Sequence, residues 1–94
     1  MKISELQTGS RRVSLQAKVT SVEEPREVNT VRGKTKVANA TIEDDSGNVL
    51  LVLWGEEIEK VKEGDTVKIE NGFVKEWNGT LQLSAGKYGK LTVV

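Results

Sequence analysis

The clearest pattern in the chain is an alternation of apolar and polar residues near its N-terminus. The apolar members recur at every second position, as Val13, Leu15, Ala17 and Val19. A period of two is typical of a β-strand with one buried face, so this segment is predicted to form a long first strand. Pro25 lacks the N–H that a strand ladder needs, and it is predicted to end the strand.

Two further strands are predicted before the middle of the chain. Residues 24–33 favour an exposed loop or hairpin tip, and a second strand follows from about Lys34 to Glu43. The sequence DDSGN at 44–48 is rich in residues that favour tight turns. The third strand, VLLVLW at 49–54, is apolar throughout, so the pattern does not say which of its faces points inward.

A short helix is predicted after the third strand, in residues 55–64. Ile58 and Val61 are spaced to pack on a core, and the glutamates are expected to form the solvated face and to favour the helix N-terminus. A fourth strand is predicted at 66–77. The Asn78-Gly79 pair that follows is a strong signal for a two-residue hairpin turn, because both residues tolerate a positive φ.

The remaining segments add a fifth strand at 80–85, one helical turn at Ile3–Gln7 and a short final strand in the tail. Three strands, a helix and two more strands follow the order of the OB-fold, a five-stranded Greek-key barrel. We therefore expect residues 1–94 to form a single all-β OB-fold domain, with a short helix between the third and fourth strands and a helical turn at the N-terminus. A six-stranded small barrel of another type is the alternative.

Aromatic residues are few, and two of them flank a lysine in the fourth strand. Phe73, Lys75 and Trp77 share one face by the period of two, and the inward parity of the strand's first half would bury that face. A bulge at Asn71-Gly72 would add one residue and reverse the parity. The three side chains are then expected to face outward, because a lysine fits poorly on a buried face. Burial of the aromatic residues in the core is the alternative.

Composition narrows the classes of function. The chain has no histidine and no cysteine, which removes the usual general base, thiolate nucleophiles and most zinc sites. We therefore expect no enzyme, no metal and no cofactor, and the acidic run at 43–45 is better explained as a strand entering a turn. The N-terminus lacks the apolar region of a signal peptide and no apolar run is long enough to span a membrane, so a cytoplasmic, nucleoid-associated protein is expected.

The formal net charge is zero, but the charges are unevenly distributed. Basic residues outnumber acidic ones seven to four in residues 1–34, and acidic ones outnumber basic ones seven to three in residues 35–64. A local basic surface is therefore compatible with the neutral sum, and cations between aromatic side chains suit single-stranded nucleic acid. The candidate phosphate-binding residues are Arg26, Arg32, Lys34, Lys36, Lys75 and Lys87. For those in the first loop, a solvated hairpin tip is the alternative.

Three segments resemble one protein family. ISELQTG, DDSGNVLLVLWG and VKEGDTVKIENGFVKEWNGTLQLSAG are similar in order and spacing to the OB domains of archaeal replication protein A and the related simple single-stranded DNA-binding proteins. The resemblance covers nearly the whole chain. In that family an aromatic after the third strand and two on the fourth stack on bases, which implies these roles for Trp54, Phe73 and Trp77. Ser84 departs from the aromatic residue of some relatives.

The pattern and the resemblance together predict non-catalytic binding of single-stranded DNA with low sequence specificity, in replication, repair or recombination. A protein-interaction OB subunit of a larger assembly is one alternative, for which Leu50 and Val52 would supply an apolar surface. An RNA- or tRNA-binding module is another, since stacking does not itself read the sugar. Expected partners are single-stranded DNA or RNA, further OB domains, and replication or repair proteins. Tyr88 fits either packing of the tail or stacking.

Overall fold

Five strands of the chain close into a barrel. The computed structural model describes residues 2–31, 33–85 and 89–94, with only the backbone described at Trp77. Within these residues the chain forms seven strands: β1 (Arg11–Val22), β2 (Arg26–Thr30), β3 (Gly33–Asp44), β4 (Gly47–Trp54), β5 (Thr66–Trp77), β6 (Thr80–Ser84) and β7 (Lys90–Val93). Because β1 pairs with both β3 and β5, the order β1-β3-β4-β6-β5 returns to its start. The five-stranded OB-fold predicted from the sequence is confirmed, and the six-stranded alternative is excluded.

The other two strands extend this barrel. β2 pairs with β3 alone and forms a hairpin arm with Val31 exposed at its tip. The tip lies within the residues 24–33 predicted as an exposed loop or hairpin tip, but the strand at Arg26–Thr30 was not predicted. β7 pairs with the first half of β5, so the final strand predicted in the tail is present. The hairpin between β5 and β6 turns at Asn78 and Gly79, whose φ values of 51° and 79° are those the two-residue turn requires.

Alternate residues of each barrel strand fill the core. The largest fully buried side chains include Ile42, Leu51, Leu53, Ile69 and Leu83. The burial of Leu51 and Leu53 decides the orientation that the apolar pattern of the third strand left open: their face points inward. Trp54, of opposite parity, therefore lies on the outer surface of the barrel and is 42% exposed.

Two short helical segments pack at the barrel. A 3-10 helix, η1 (Ile3–Glu5), buries Ile3, and α1 (Glu57–Lys60) is followed by the buried Val61. The helix predicted at 55–64 is shorter than expected, because Val61 directly after it is extended and the backbone of Gly64 hydrogen-bonds to β1. At four residues, α1 is the longest helix described, and none of the described helices has the length and apolar character needed to cross a membrane.

The acidic run at the end of β3 organises a turn. The carboxylate of Asp44 accepts hydrogen bonds from the backbone N–H groups of Ser46 at 2.7 Å, Ile3 at 2.9 Å and Gly47 at 3.2 Å. The Ser46 hydroxyl also donates to it, and these bonds lower the pKa of Asp44 to about 2, with the hydroxyl as the largest cause. Asp44 therefore ties the N-terminal segment to the β3–β4 turn.

Candidate nucleic-acid interface

A bulge in β5 reverses its inward and outward sides. Leu15 of β1 pairs with Ile69 and Val13 pairs with Gly72, so two steps along β1 correspond to three along β5. The extra residue lies beside Asn71, whose φ of 55° is in the left-handed region. The bulge predicted at Asn71-Gly72 is therefore confirmed.

Gly72 allows the bulge to pack closely on the neighbouring strand. A Cβ atom at this position would lie 2.9 Å from Cγ2 of Ile69 and 3.0 Å from the backbone oxygen of Ser84. No side chain fits that space without movement of β6 or of the core. After Gly72, Val74 is buried and Phe73 takes the outward position, as predicted from the sequence.

The outward residues of the barrel strands line up across the sheet. One row crosses β3, β4, β6, β5 and β1 in register: Asn39, Val52, Ser84, Phe73 and Arg11. The adjacent row crosses the first four of these strands: Thr41, Leu50, Gln82 and Lys75. Residues that lie far apart in the sequence therefore share one outer surface of the barrel.

A groove with a volume of about 1060 Å³ runs along this surface. Its lining includes aromatic, basic and small polar side chains: Arg11, Arg12, Trp54, Phe73, Lys75 and Ser84. We call it the aromatic groove. It brings together Trp54, Phe73 and Lys75, three of the residues predicted to form the site.

Lys75 and Phe73 contact each other within the groove. The Nζ atom of Lys75 lies 5.3 Å from the centroid of the Phe73 ring, inside the ~6 Å range of a cation–π interaction. Phe73 is half-buried and Lys75 is exposed. A flat apolar surface and a positive charge therefore occur side by side, which is the combination that a base and its phosphate require.

The predicted cations of the first loop are divided between two faces of the β2–β3 hairpin. Arg26 pairs with Val37, which in turn pairs with Trp54, so Arg26 is aligned with the aromatic groove. Lys34 instead lies 3.7 Å from the carboxylate of Glu27, and Lys36 lies opposite Glu27 in the ladder. The described residues do not include Arg32, Lys87 or Tyr88, and only the backbone is described at Trp77. The predictions for these four side chains therefore lie outside the described part of the structure.

Two arginines of the groove were not predicted. Arg11 pairs with Phe73, and Arg12 occupies a second bulge, at a φ of 54°, between the Arg11–Phe73 and Val13–Gly72 pairs. Both are exposed and line the groove. The available signal was their position directly before Val13, where the alternation that predicts the first strand begins, since that strand neighbours the fourth strand in an OB-fold barrel.

Glu57 is also part of the groove, although its sequence position predicted a solvated helix residue. Its Oε1 atom accepts a hydrogen bond of 3.0 Å from the backbone N–H of Trp54. The side chain is half-buried, and this burial raises the pKa of Glu57 despite the hydrogen bond and the charge of Lys60. A carboxylate is thereby fixed beside Trp54.

Ser84 forms a small, buried part of the groove lining. It is 7% exposed and lies between Val52 and Phe73 in the outward row. No described group forms a hydrogen bond with its Oγ atom. Its small side chain leaves space where a larger residue would fill the groove.

A closed five-stranded barrel whose outer face carries aromatic and basic side chains defines an OB-fold domain of the nucleic-acid-binding class. Residues 13–91 match the family described as the OB-fold nucleic acid binding domain, and the chain belongs to this family.

Two curated relatives are about one-third identical to the chain over the residues that align. The single-stranded DNA binding protein Ssb of Saccharolobus solfataricus is 33% identical over 90 residues, which are 96% of this chain and 61% of that protein. Replication factor A of Methanothermobacter thermautotrophicus is 32% identical over 91 residues, which are 93% of this chain and 12% of that protein. The chain thus spans only part of the length of each.

Solved structures agree with the fold over the whole chain. An OB domain from Thermoplasma acidophilum has a TM-score of 0.86 and 26% identity, and the match covers 100% of this chain and 85% of that one. A replication factor A related protein from Methanobacterium thermoautotrophicum has a TM-score of 0.82 and 27% identity, with coverages of 100% and 89%.

Proposed function

We propose that residues 1–94 form a single non-catalytic module that binds single-stranded DNA with little sequence preference. The observation that carries the proposal is the aromatic groove, where Trp54 and Phe73 lie with Lys75, Arg11 and Arg12 on one open surface. Unpaired bases stack on such aromatic side chains whatever their identity, at about 1–3 kcal/mol per base. Bases inside a duplex have no free face to offer.

The strand is proposed to contact bases through Trp54, Phe73 and Trp77 and phosphates through the surrounding cations. Arg11, Arg12 and Lys75 line the groove itself. The proposal also retains the basic residues expected at its margins, which are Arg26, Arg32, Lys34, Lys36 and Lys87. Because Lys34 and Lys36 lie beside Glu27, their contribution is expected to be smaller than that of Arg26.

DNA is preferred over RNA in this proposal because the names of two relatives point to it. One is called a single-stranded DNA binding protein and the other a replication factor. We propose a role in replication, and by extension in repair or recombination, within the cytoplasm and at the nucleoid. Further OB domains and replication or repair proteins are the proposed protein partners.

The direct test is a tryptophan-fluorescence titration with a thymidine oligonucleotide, the same oligonucleotide in a duplex, and a uridine oligonucleotide. Tight binding and quenching are expected for single-stranded DNA, with much weaker binding of the duplex. The affinity should fall with salt at a shallow slope, since each phosphate contact contributes only about 0.7 to the slope for single strands. Equal affinity for the single strand and the duplex would refute the proposal, and tighter binding of uridine would move the function to RNA.

A protein-interaction module is the second candidate, favoured by one observation. Leu50 and Val52 are half-buried, apolar and adjacent on the outer sheet, and Leu50 also lines a smaller hollow of about 390 Å³. That hollow contains apolar side chains of Ile3, Val49 and Leu81. A salt-insensitive association with a protein, in the absence of any oligonucleotide binding, would favour this candidate.

A further inference from the structure

Among the residues that line the aromatic groove in the described part of the chain, Glu57 is the acidic one. The other charged lining residues are Arg11, Arg12 and Lys75. A carboxylate repels phosphates, so a surface that bound only the phosphate backbone of a nucleic acid would bind it more tightly without this residue. No described cation forms an ion pair with Glu57, and the nearby charge of Lys60 offsets its negative charge only in part.

The position of this carboxylate is defined by the backbone. The N–H of Trp54 holds Oε1 at 3.0 Å, and the turn after Trp54 is closed by a hydrogen bond from Ile58 N to Gly55 O. No described group donates to Oε2. One carboxylate oxygen is therefore anchored, and the other is left as an acceptor beside an aromatic side chain that is 42% exposed.

Because Trp54 and Glu57 line the same groove, a base that stacks on Trp54 can present its edge to this acceptor. An ionised carboxylate only accepts hydrogen bonds, so it favours base edges that carry N–H donors. Guanine has two adjacent donors on its Watson–Crick edge, the ring N1–H and the 2-amino group. Thymine has one N–H between two carbonyl oxygens, and each of these oxygens would be repelled.

We propose that Glu57 is a specificity-determining residue that selects the base stacked on Trp54, with guanine favoured over thymine. This inference rests on the proposed function, since it requires that single strands enter the aromatic groove. It adds one position of base preference to a surface that is otherwise tolerant of sequence. A site that hydrogen-bonds its ligand discriminates strongly against an analogue that leaves the polar groups of the site unpaired. An apolar site discriminates less strongly against a ligand of a different shape.

The test compares oligonucleotides of about 12 residues, within the site sizes known for OB-folds. One is all thymidine, one carries a single central guanine, and one carries inosine, which lacks the 2-amino group. The wild-type protein should bind the guanine oligonucleotide about tenfold more tightly than all-thymidine, a ratio that corresponds to ~1.4 kcal/mol. Inosine should lose most of this gain.

Glu57→Gln removes the negative charge of the side chain and keeps the hydrogen bond that anchors it. The amide oxygen can still accept from Trp54 N–H, while the second oxygen is replaced by an NH₂ donor that suits thymine carbonyls. The guanine preference should fall to about onefold, and the affinity for all-thymidine should be equal or higher because a negative charge is removed. Glu59→Gln is the matched control: it makes the same change of charge on the same helix at an exposed residue, and it should keep the wild-type ratio.

Each outcome has a defined meaning. A guanine preference that survives in Glu57→Gln, or that is lost equally in Glu59→Gln, overturns the role of Glu57. Equal binding of inosine and guanine overturns the two-donor contact. If all-thymidine binds but guanine brings no gain, the inference fails while the proposed function stands. If none of the three oligonucleotides binds, the proposed function itself fails.

Discussion

The ammonium group of Lys75 lies over the ring of Phe73, at 5.3 Å from its centroid. The two residues are two positions apart on β5 and therefore share one face of the strand. Arg11 is the residue of β1 that is paired with Phe73 in the sheet. Phe73 is thus the point at which stacking surface and positive charge are most closely combined. The two contributions can be separated, because stacking is insensitive to salt and phosphate contacts are not.

Phe73→Ala is expected to weaken binding of single-stranded DNA by about 1–3 kcal/mol, because one stacking surface is lost. The slope of log K against log salt should hardly change. Lys75→Gln is the control with the opposite signature: a smaller loss of affinity and a slope reduced by about 0.7. The measurement is a salt series of fluorescence titrations. A steep fall in slope for Phe73→Ala would contradict its role as a stacking residue.

Trp77 ends β5, opposite Thr80, beside the hairpin turn. As a stacking residue, Trp77→Ala should cost about 1–3 kcal/mol of binding and leave the melting temperature nearly unchanged. As a core residue, it should instead lower the free energy of unfolding by roughly 3–5 kcal/mol. Thermal melting and titration of the same variant distinguish the two. A much lower melting temperature with unchanged affinity would place Trp77 in the core.

Gly72→Ala is expected to destabilise the domain by about 1–3 kcal/mol through overpacking, because the new Cβ would lie 2.9 Å from Ile69 Cγ2. Gly79 provides a contrast, since nothing lies within 4 Å of a Cβ there and its φ is 79°. Asparagine tolerates that φ, so Gly79→Asn should be mild and Gly72→Asn severe. The test is the midpoint of urea unfolding at a constant m-value. Equal effects of asparagine at both glycines would argue against the close packing at Gly72.

Asp44→Asn should destabilise the domain at neutral pH, and the effect should disappear in acid. The folded-state pKa of Asp44 is lowered from 3.8 to about 2. A group with a lowered pKa contributes stability above its ordinary pKa, and this contribution is lost as the pH falls from about 3.8 towards 2. Asp45→Asn is the matched control, because the ion pair of Asp45 with Lys2, at 2.9 Å, is exposed to solvent. Unfolding curves measured between neutral pH and pH 2 provide the comparison, and a difference that is as large at pH 2 as at neutral pH would refute the assignment.

The alternation in β1 and the Asn78-Gly79 turn were sufficient to predict a strand and a hairpin, because each fixes local geometry without help from the rest of the chain. The apolar run at 49–54 was not, since both of its faces are apolar and only the closing of the barrel buries Leu51 and Leu53. The length of α1 also depended on a distant contact. The backbone of Gly64 bonds to Val19, and this pairing ends the helix early.

The aromatic part of the site was predictable and its charged part was less so. The lysine between Phe73 and Trp77 indicated an outward face, and the bulge that this required is present. Arg11 and Arg12 reach the groove only through the irregular pairing of β1 with β5. Glu57 enters it because the turn after Trp54 directs its carboxylate to the backbone N–H of Trp54, three residues earlier. The contact of the two arginines has no signal within a local window of sequence, whereas that of Glu57 is local and was missed because the acidic residues of this segment were all assigned to a solvated helix face.

Because of the additional residue beside Asn71, the side chains that the barrel surface presents depend on the number of residues in β5 as much as on their type. Two segments of β5 with opposite phase are joined at that point, so loss of a single residue between Ile69 and Gly72 would place Val74 in water and direct Phe73 and Lys75 into the interior. All the groups that we propose to bind DNA would still be encoded, yet the surface would cease to exist. In the evolution of this strand, insertions and deletions are therefore expected to be far more damaging to binding than most amino-acid substitutions.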